Sequence, residues 1–320
     1  MTLKIGILVP QGWRMDLVGI TDPVEAYETM TRVGLEAEAL GFDSIWLFDH
    51  FHTVPTPTQE VTFESWTSTA ALARDTKRVR IGQLVTCNNY RNPALLAKMA
   101  STVDVLSHGR LEFGIGAGWH ESEFLAYGYD FPDGPTRLRQ MRDAVRIILK
   151  MWSDEHAVYE GQYYHVNGAI NQPKGVQKPH IPLMIGGSGE QVTLKLVAQY
   201  ADACNITHQD NEGMARKFDI IRRHCETVGR DYNTIRRSVL MNCAIAETEE
   251  EAWAKASSPL FSRNIPSGRY REQGLVGTPD AIRKRLVEIE QAGAQELIMW
   301  LPDARFLTPL RMFAEACIAS

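Results

Sequence analysis

Short apolar runs and helix-period patterns alternate along the whole chain. The runs fall at 5–9, 44–47, 79–86, 111–115, 183–185, 203–206, 239–245 and 296–300. Continuous rather than alternating apolarity reads as strands buried on both faces. Between them apolar residues recur at steps of three and four. Ala26, Met30, Val33, Ala37 and Leu40 form one such stripe. Leu138, Met141, Val145, Ile148 and Trp152 form a second; Phe218, Ile221, Cys225 and Val228 a third; Ile282, Leu286 and Ile289 a fourth. Each predicts a helix laid by one face on a sheet.

The punctuation agrees. Gly41, Gly229 and Gly293 stand where helices should end, and Thr278-Pro279-Asp280 carries a cap and a first-turn proline. Strand candidates alternating with helices predict a parallel (β/α)8 TIM barrel with insertions, as one domain over residues 1–320. An open, doubly wound sheet is the architectural alternative. Three connections exceed the usual ~2–6 residues: 116–137, 153–180 and 247–277. The first and third leave strands and should wall or cover the catalytic face. The second leaves a helix and holds a hairpin-like segment at 159–163.

Candidate chemistry gathers where strands end. The fourth predicted strand runs into Gly114, Gly116 and Gly118 at alternate positions, a sign of close approach by backbone or ligand. Gly116 and Gly118 should therefore border a bound cofactor. Asp49 and His50 follow the second strand, which places a carboxylate and an acid–base imidazole at the rim; a plain loop cap is the bland alternative. Gly186, Gly187, Ser188, Gly189, Glu190 and Gln191 lie between the fifth strand and a helix expected to begin near Glu190. Free amides and a helix N-terminus suit phosphate there, although glycine loops also serve as plain turns. Trp119, with Gln11, Trp13 and Phe124, should wall the pocket, or Trp119 simply anchors its loop. His50 and His52, with His208, Asp303 and His120, form a partial metal set of the kind used by barrel hydrolases. It lacks clear ligands at the middle strands, so no metal is expected.

Composition narrows the partners. A net charge of −5 gives no global basic surface for nucleic acid. No apolar run reaches the ~20 residues of a bilayer span, and no leader is visible before the first strand, so a cytoplasmic location is expected. The five cysteines are dispersed without a CxxC pair and read as reduced, mostly buried thiols.

Several pieces in order carry a resemblance. They are Gly41-Phe42-Asp43, Asp49-His50-Phe51, Tyr90-Arg91-Asn92-Pro93, Ser107-His108-Gly109-Arg110, the segment from Gly114 to Glu121, the segment from Ile185 to Glu190, and Gly277-Thr278-Pro279. Together they resemble the bacterial luciferase-like superfamily over almost the whole chain, and within it the coenzyme F420-dependent oxidoreductase branch. The resemblance implies a barrel whose third strand bulges under the central cofactor ring at a non-proline cis peptide, aligned here between Gln83 and Leu84. It implies that Thr86 contacts the ring, that Asp49 lies near its polar edge, and that 186–191 cradles its phosphate. The implied activity is hydride transfer between F420 and a small organic substrate, with His50 as proton donor and Trp119 shaping the pocket. The family's sugar-phosphate dehydrogenases carry a Trp shortly after Asp-His-Phe and a Glu after the glycine strand. Val54 and Trp119 stand in those places. The expectation is therefore a reductase of an unsaturated or carbonyl-bearing molecule. An FMN-dependent monooxygenase is the alternative; a metal-dependent hydrolase and a flavin carrier are others. A homodimer is expected from the same resemblance.

Overall fold

The computed structural model describes residues 3–207, 209–262 and 270–318. The strands are β1 (Lys4–Leu8), β2 (Ser44–Leu47), β3 (Arg80–Gln83), β4 (Thr86–Cys87), β5 (Leu111–Gly116), β6 (Ala157–Glu160), β7 (His165–Ala169), β8 (Leu183–Gly186), β9 (Ala203–Thr207), β10 (Arg236–Ile245), β11 (Gly274–Gly277) and β12 (Glu296–Trp300). Parallel pairing runs from β12 through β1, β2, β3, β5, β8, β9 and β10 and back to β12. That circuit is a closed barrel of eight staves wrapped in helices, as the alternating pattern predicts, and not an open sheet.

Two strand features escape the pattern. β11 lies beside the upper half of β10, outside the closed circuit; its Gly-Leu-Val-Gly stretch reads as a turn. The third stave is broken: β3 pairs with β5 at Ile81 and Gly82, and β4 resumes at Thr86. The break holds a cis peptide between Leu84 and Val85. The bond aligned to Gln83–Leu84 is thus one residue further on. Gln83 is still in register with Leu47, so the departure from the ladder starts after it. The 153–180 connection holds the antiparallel β6–β7 hairpin, turned at Gly161–Tyr164.

Alternation divides the core. Ile5, Ile7, Ile45 and Leu47 pack outward against Met30, Val33 and Ala37 of the first helix, Pro23–Ala39. Leu8, Trp46, Leu84, Met184, Leu240, Ile298 and Trp300 fill the barrel interior. Each large side chain so buried contributes ~1.5–3 kcal/mol. At the N-terminal end the interior turns ionic. Arg236 bonds Glu112 at 2.6 Å and Glu296 at 2.9 Å, and Arg80 also reaches Glu112. Both carboxylates are buried; loss of Arg236 would leave Glu112 with Arg80 alone and Glu296 without its cation.

Several family-like pieces prove structural. Asn92 caps the helix Pro93–Leu106 by accepting from the Ala94 amide at 2.9 Å, with Pro93 in the first turn. His108 and Gly109 turn the chain at φ 56° and 80°. That turn delivers the buried Arg110 guanidinium to the carbonyls of Ala73, Thr76 and Val79. All five cysteines are buried and unpaired, as expected. No described helix is long and apolar enough to cross a membrane.

Candidate active site

At the C-terminal mouth of the staves lies a cavity of about 480 Å³. Its wall is largely apolar, with Trp13, Phe48, Leu138, Met141 and Leu240 among its residues. Trp119 borders it from the loop after β5 and is 62% exposed, so it stands at the entrance. Trp13 is a wall residue as expected. Gln11 and Phe124 are not. Gln11 is buried and ties Phe63 O to the Phe48 amide, and Phe124 packs on Cys87 and Tyr90.

His50 sits in this wall under close control. Its ring stacks on Trp13, with centroids 3.9 Å apart and planes 5° from parallel. Trp119 and His120 meet it edge-on at 5.9 and 6.0 Å. Its Nδ1 lies 2.8 Å from Glu123 Oε2. The same oxygen accepts the Tyr90 hydroxyl at 2.6 Å, and Oε1 accepts the Phe51 amide at 2.6 Å. Burial opposes charge on Glu123, but the bonds from His50, Tyr90 and Phe51 outweigh it and hold the carboxyl down at about 2. Burial, helped by that hydrogen bond, pushes the Tyr90 phenol up. In the sequence Tyr90 appears only within the Tyr90-Arg91-Asn92-Pro93 piece, without a role, and Glu123 carries none. Glu123 sits in a polar His-Glu-Ser-Glu stretch that reads as solvated surface, and only its adjacency to an apolar Phe124 hints at burial.

Asp49 lines the cavity, but its oxygens are engaged within the protein. They accept from the Cys87 amide at 2.8 Å and from the Arg91 guanidinium at 2.7 and 3.0 Å. Its visible work is to tie the end of β2 to the turn after β4, so the expected contact with a ring edge is not its evident role. Arg91 also reaches Glu64.

The glycines after β5 answer to the protein itself. A Cβ on Gly116 would lie 2.7 Å from Val85 Cγ2, and one on Gly186 would lie 2.9 Å from Val85 Cγ1. On Gly118 it would meet Cys87 Sγ and Phe124 at 2.7 Å. Gly116 and Gly118 do border the cavity. Their bareness makes room for the bulge and for Phe124. Leu84 and Thr86 line the cavity, and the buried Thr86 Oγ1 has no protein partner. Gln83 does not line it: the side chain is buried and donates to Thr69 Oγ1 at 2.7 Å.

The loop after β8 is only partly the expected cradle. Gly186, Gly187 and Thr193 border the cavity, and the Gly187 amide donates to Asn205 O at 3.0 Å. The helix begins at Thr193, later than expected, because the loop is pinned from below. Lys217 Nζ donates to Ser188 O at 2.9 Å and His224 Nε2 to Glu190 O at 2.8 Å. Glu190 turns to Lys217 and Arg216, at 2.7 and 2.5 Å, so its carboxylate serves the loop's anchorage. Ser188, Gly189, Glu190 and Gln191 do not reach the cavity wall. Ser188 Oγ is buried without a partner, a free donor beside the loop.

Arg14 also lines the cavity, its guanidinium 5.0, 4.9 and 4.5 Å from the rings of Trp13, Phe48 and Trp300. The partial metal set does not assemble. His208 lies outside the described residues, Asp303 pairs with Lys255 at 3.1 Å, and no cluster fit for a metal occurs among the described residues.

The arrangement fits a flat, anionic cofactor. The orphaned Thr86 hydroxyl and the bulge form a floor, and the Gly186–Gly187 edge opens toward a helix N-terminus.

Comparison with known proteins agrees with this architecture. An uncharacterized protein of Mycobacterium tuberculosis is 31% identical over 189 residues, 54% of this chain and 66% of that one, so the match spans a little under two thirds of its length. An F420-dependent glucose-6-phosphate dehydrogenase of Microbacterium testaceum is 33% identical over 308 residues, 88% of this chain and 90% of that protein. Among solved structures, an F420-dependent secondary alcohol dehydrogenase in complex with an F420–acetone adduct superposes with a TM-score of 0.83. That match covers 99% of this chain and 98% of the other at 21% identity, and it bears on the fold. The family model for luciferase-like monooxygenases matches residues 3–271. With that match running through the broken third stave, the His50 rim and the glycine edge alike, the chain belongs to the luciferase-like monooxygenase family.

Proposed function

We propose that the protein is a coenzyme F420-dependent oxidoreductase that reduces a small, largely apolar carbonyl or conjugated compound. The observation that carries this reading is the His50 imidazole, fixed on its Nδ1 side by Glu123, in the wall of an apolar cavity floored by the Leu84–Val85 bulge. The relatives named F420-dependent support the choice of cofactor.

Bound F420 supplies a two-electron hydride donor that does not activate oxygen. Thr86 and the bulge would seat its ring; Gly186 and Gly187, with the Thr193 helix start, would take its phosphate. His50 holds a proton at Nε2 and gives it to the substrate oxygen, or to the carbon opposite the hydride acceptor, as negative charge develops. Trp13 keeps the imidazole plane fixed by stacking. Trp119 and the loop after β5 close over the reacting pair and exclude water.

The wall argues for the substrate class. Arg14 is the one Arg or Lys that lines the cavity among the described residues, and it is held over three rings. A sugar phosphate asks for several cations and many hydroxyl partners; the apolar wall offers few. The same reading takes a small molecule as partner, a cytoplasmic location, and a homodimer on family grounds.

The test is a fluorescence titration of the protein with F420 and with FMN. This is followed by turnover of reduced F420 with a panel of ketones, aldehydes and enones, and of oxidised F420 with glucose 6-phosphate. Tight F420 binding and enone or ketone reduction support the proposal. Preference for FMN with oxygen consumption would move the protein to the monooxygenase reading.

A further inference from the structure

We propose that Glu123 is a positioning residue for His50, fixing its ring and tautomer and setting a buried carboxylate against its charged form. The inference rests on the reading of His50 as the proton donor, and it deepens that reading.

Glu123 is fully buried, yet every lone-pair direction it offers is met by a donor. Oε2 takes His50 Nδ1 at 2.8 Å and the Tyr90 hydroxyl at 2.6 Å; Oε1 takes the amides of Phe51 at 2.6 Å and His52 at 3.3 Å. A carboxylate surrounded by donors stays ionised and can only accept. The proton between the two side chains therefore sits on His50 Nδ1. This leaves Nε2 as the working nitrogen of a ring that lines the cavity. When His50 is protonated, the second proton is on Nε2, and the buried charge of Glu123 stabilises the imidazolium.

The neighbouring charges do not replace it. Asp49 is committed to Arg91. His52 donates from Nδ1 to Thr53 O at 3.3 Å. His120, Cys87, Tyr127 and Arg14 complete the titratable and charged groups around the pair. Burial lowers the proton affinity of His120, and burial raises the Cys87 thiol, so neither brings charge at neutral pH.

Glu123 also lies on the helix Glu121–Ala126, in the insertion after β5, whereas His50 follows β2. The positioning group thus arrives with the loop that carries Trp119.

The experiment compares wild type, Glu123→Gln and Tyr90→Phe by long-range 1H–15N imidazole spectra across pH, with His50 assigned from a His50→Asn spectrum. In wild type, neutral His50 should be protonated on Nδ1. In Glu123→Gln the amide donates to Nδ1 and the proton moves to Nε2, and proton affinity falls at least ~10-fold. Tyr90→Phe removes a competing donor from Oε2, so proton affinity should rise, a shift of opposite sign that stays measurable if Glu123→Gln fails to fold. With an acceptor from the panel, Glu123→Gln should lower kcat ~10²-fold with KM within a few-fold. Its pH limb should move to lower pH. An unchanged tautomer and unchanged titrations in both variants would overturn the inference. A shifted tautomer with unchanged turnover would uphold the role of Glu123 and instead overturn His50 as proton donor.

Discussion

Gly116 offers a sharp test of how the cavity floor is held. An alanine there would place its Cβ 2.7 Å from Val85 Cγ2, against ~3.5–4.0 Å for relaxed carbon contact, so about 1 Å must be absorbed. Gly116 φ is not among the left-handed ones, so the conflict is one of space alone. Overpacking of this size costs ~1–3 kcal/mol. Val85→Ala removes the clashing Cγ2, with Cγ1, from a half-buried side chain, at about 1 kcal/mol. In the double variant the Gly116→Ala cost should nearly vanish, leaving a coupling of about 1–2 kcal/mol in favour of the pair. Urea unfolding followed by tryptophan fluorescence measures the cycle. The F420 titration should run in parallel: Gly116→Ala lifts Val85 into the cavity and weakens binding, and Val85→Ala restores it. Strict additivity, with F420 affinity untouched by Gly116→Ala, would refute the claim that these two residues interlock beneath the ring.

Other outcomes follow from the same geometry. His50→Asn should lower the chemical rate ~10²–10⁴-fold while F420 affinity stays within a few-fold; loss of affinity with an unchanged saturated rate would make His50 a binding residue. Gly187→Asp should weaken F420 binding more than tenfold, since it puts a carboxylate at φ 126° on the proposed phosphate edge; unchanged affinity in a folded protein would reduce that edge to a turn. The Glu123 carboxyl is held at about 2 in the folded protein, below its ordinary 4.5. Its stabilisation is therefore fully present above pH 4.5 and is lost as pH falls toward 2, at most about 3 kcal/mol. The stability gap between wild type and Glu123→Gln should shrink across that range, and a gap independent of pH would count against the buried charge.

Much of the barrel was legible because burial on both faces leaves a plain mark: all of the apolar runs became staves. Caps were equally readable at Thr278, which accepts from the Ala281 amide, and at Gly229, at φ 70°. What periodicity cannot carry is a break inside a stave. The run at 79–86 reads as one strand, although the ladder leaves it after Gln83. The site was legible as a place more than as a mechanism. His50, Thr86, Leu84, Trp119 and the Gly186–Gly187 edge converge on the cavity. Gln83 and Glu190 stand off the cavity wall, which a residue's neighbours in the chain cannot foretell: an ion pair with Lys217 turns Glu190 and a buried bond to Thr69 turns Gln83. Glu123 was missed for the same reason, since its partners lie more than thirty residues away in the chain.

The ionic layer at the N-terminal end of the barrel has a kinetic consequence. Arg236, Glu112 and Glu296 stopper the interior from below, and Trp46, Met184 and Ile298 fill the space above them. The cavity is thus a well with one mouth. Whatever rests on the bulge must enter before whatever is placed over it beneath Trp119, and must leave after it. Under the proposed function this makes the reaction ordered, with F420 first on and last off. Product would then inhibit competitively against the organic substrate only when it rebinds the cofactor-loaded form. A dead-end complex with substrate alone would be absent from the rate law.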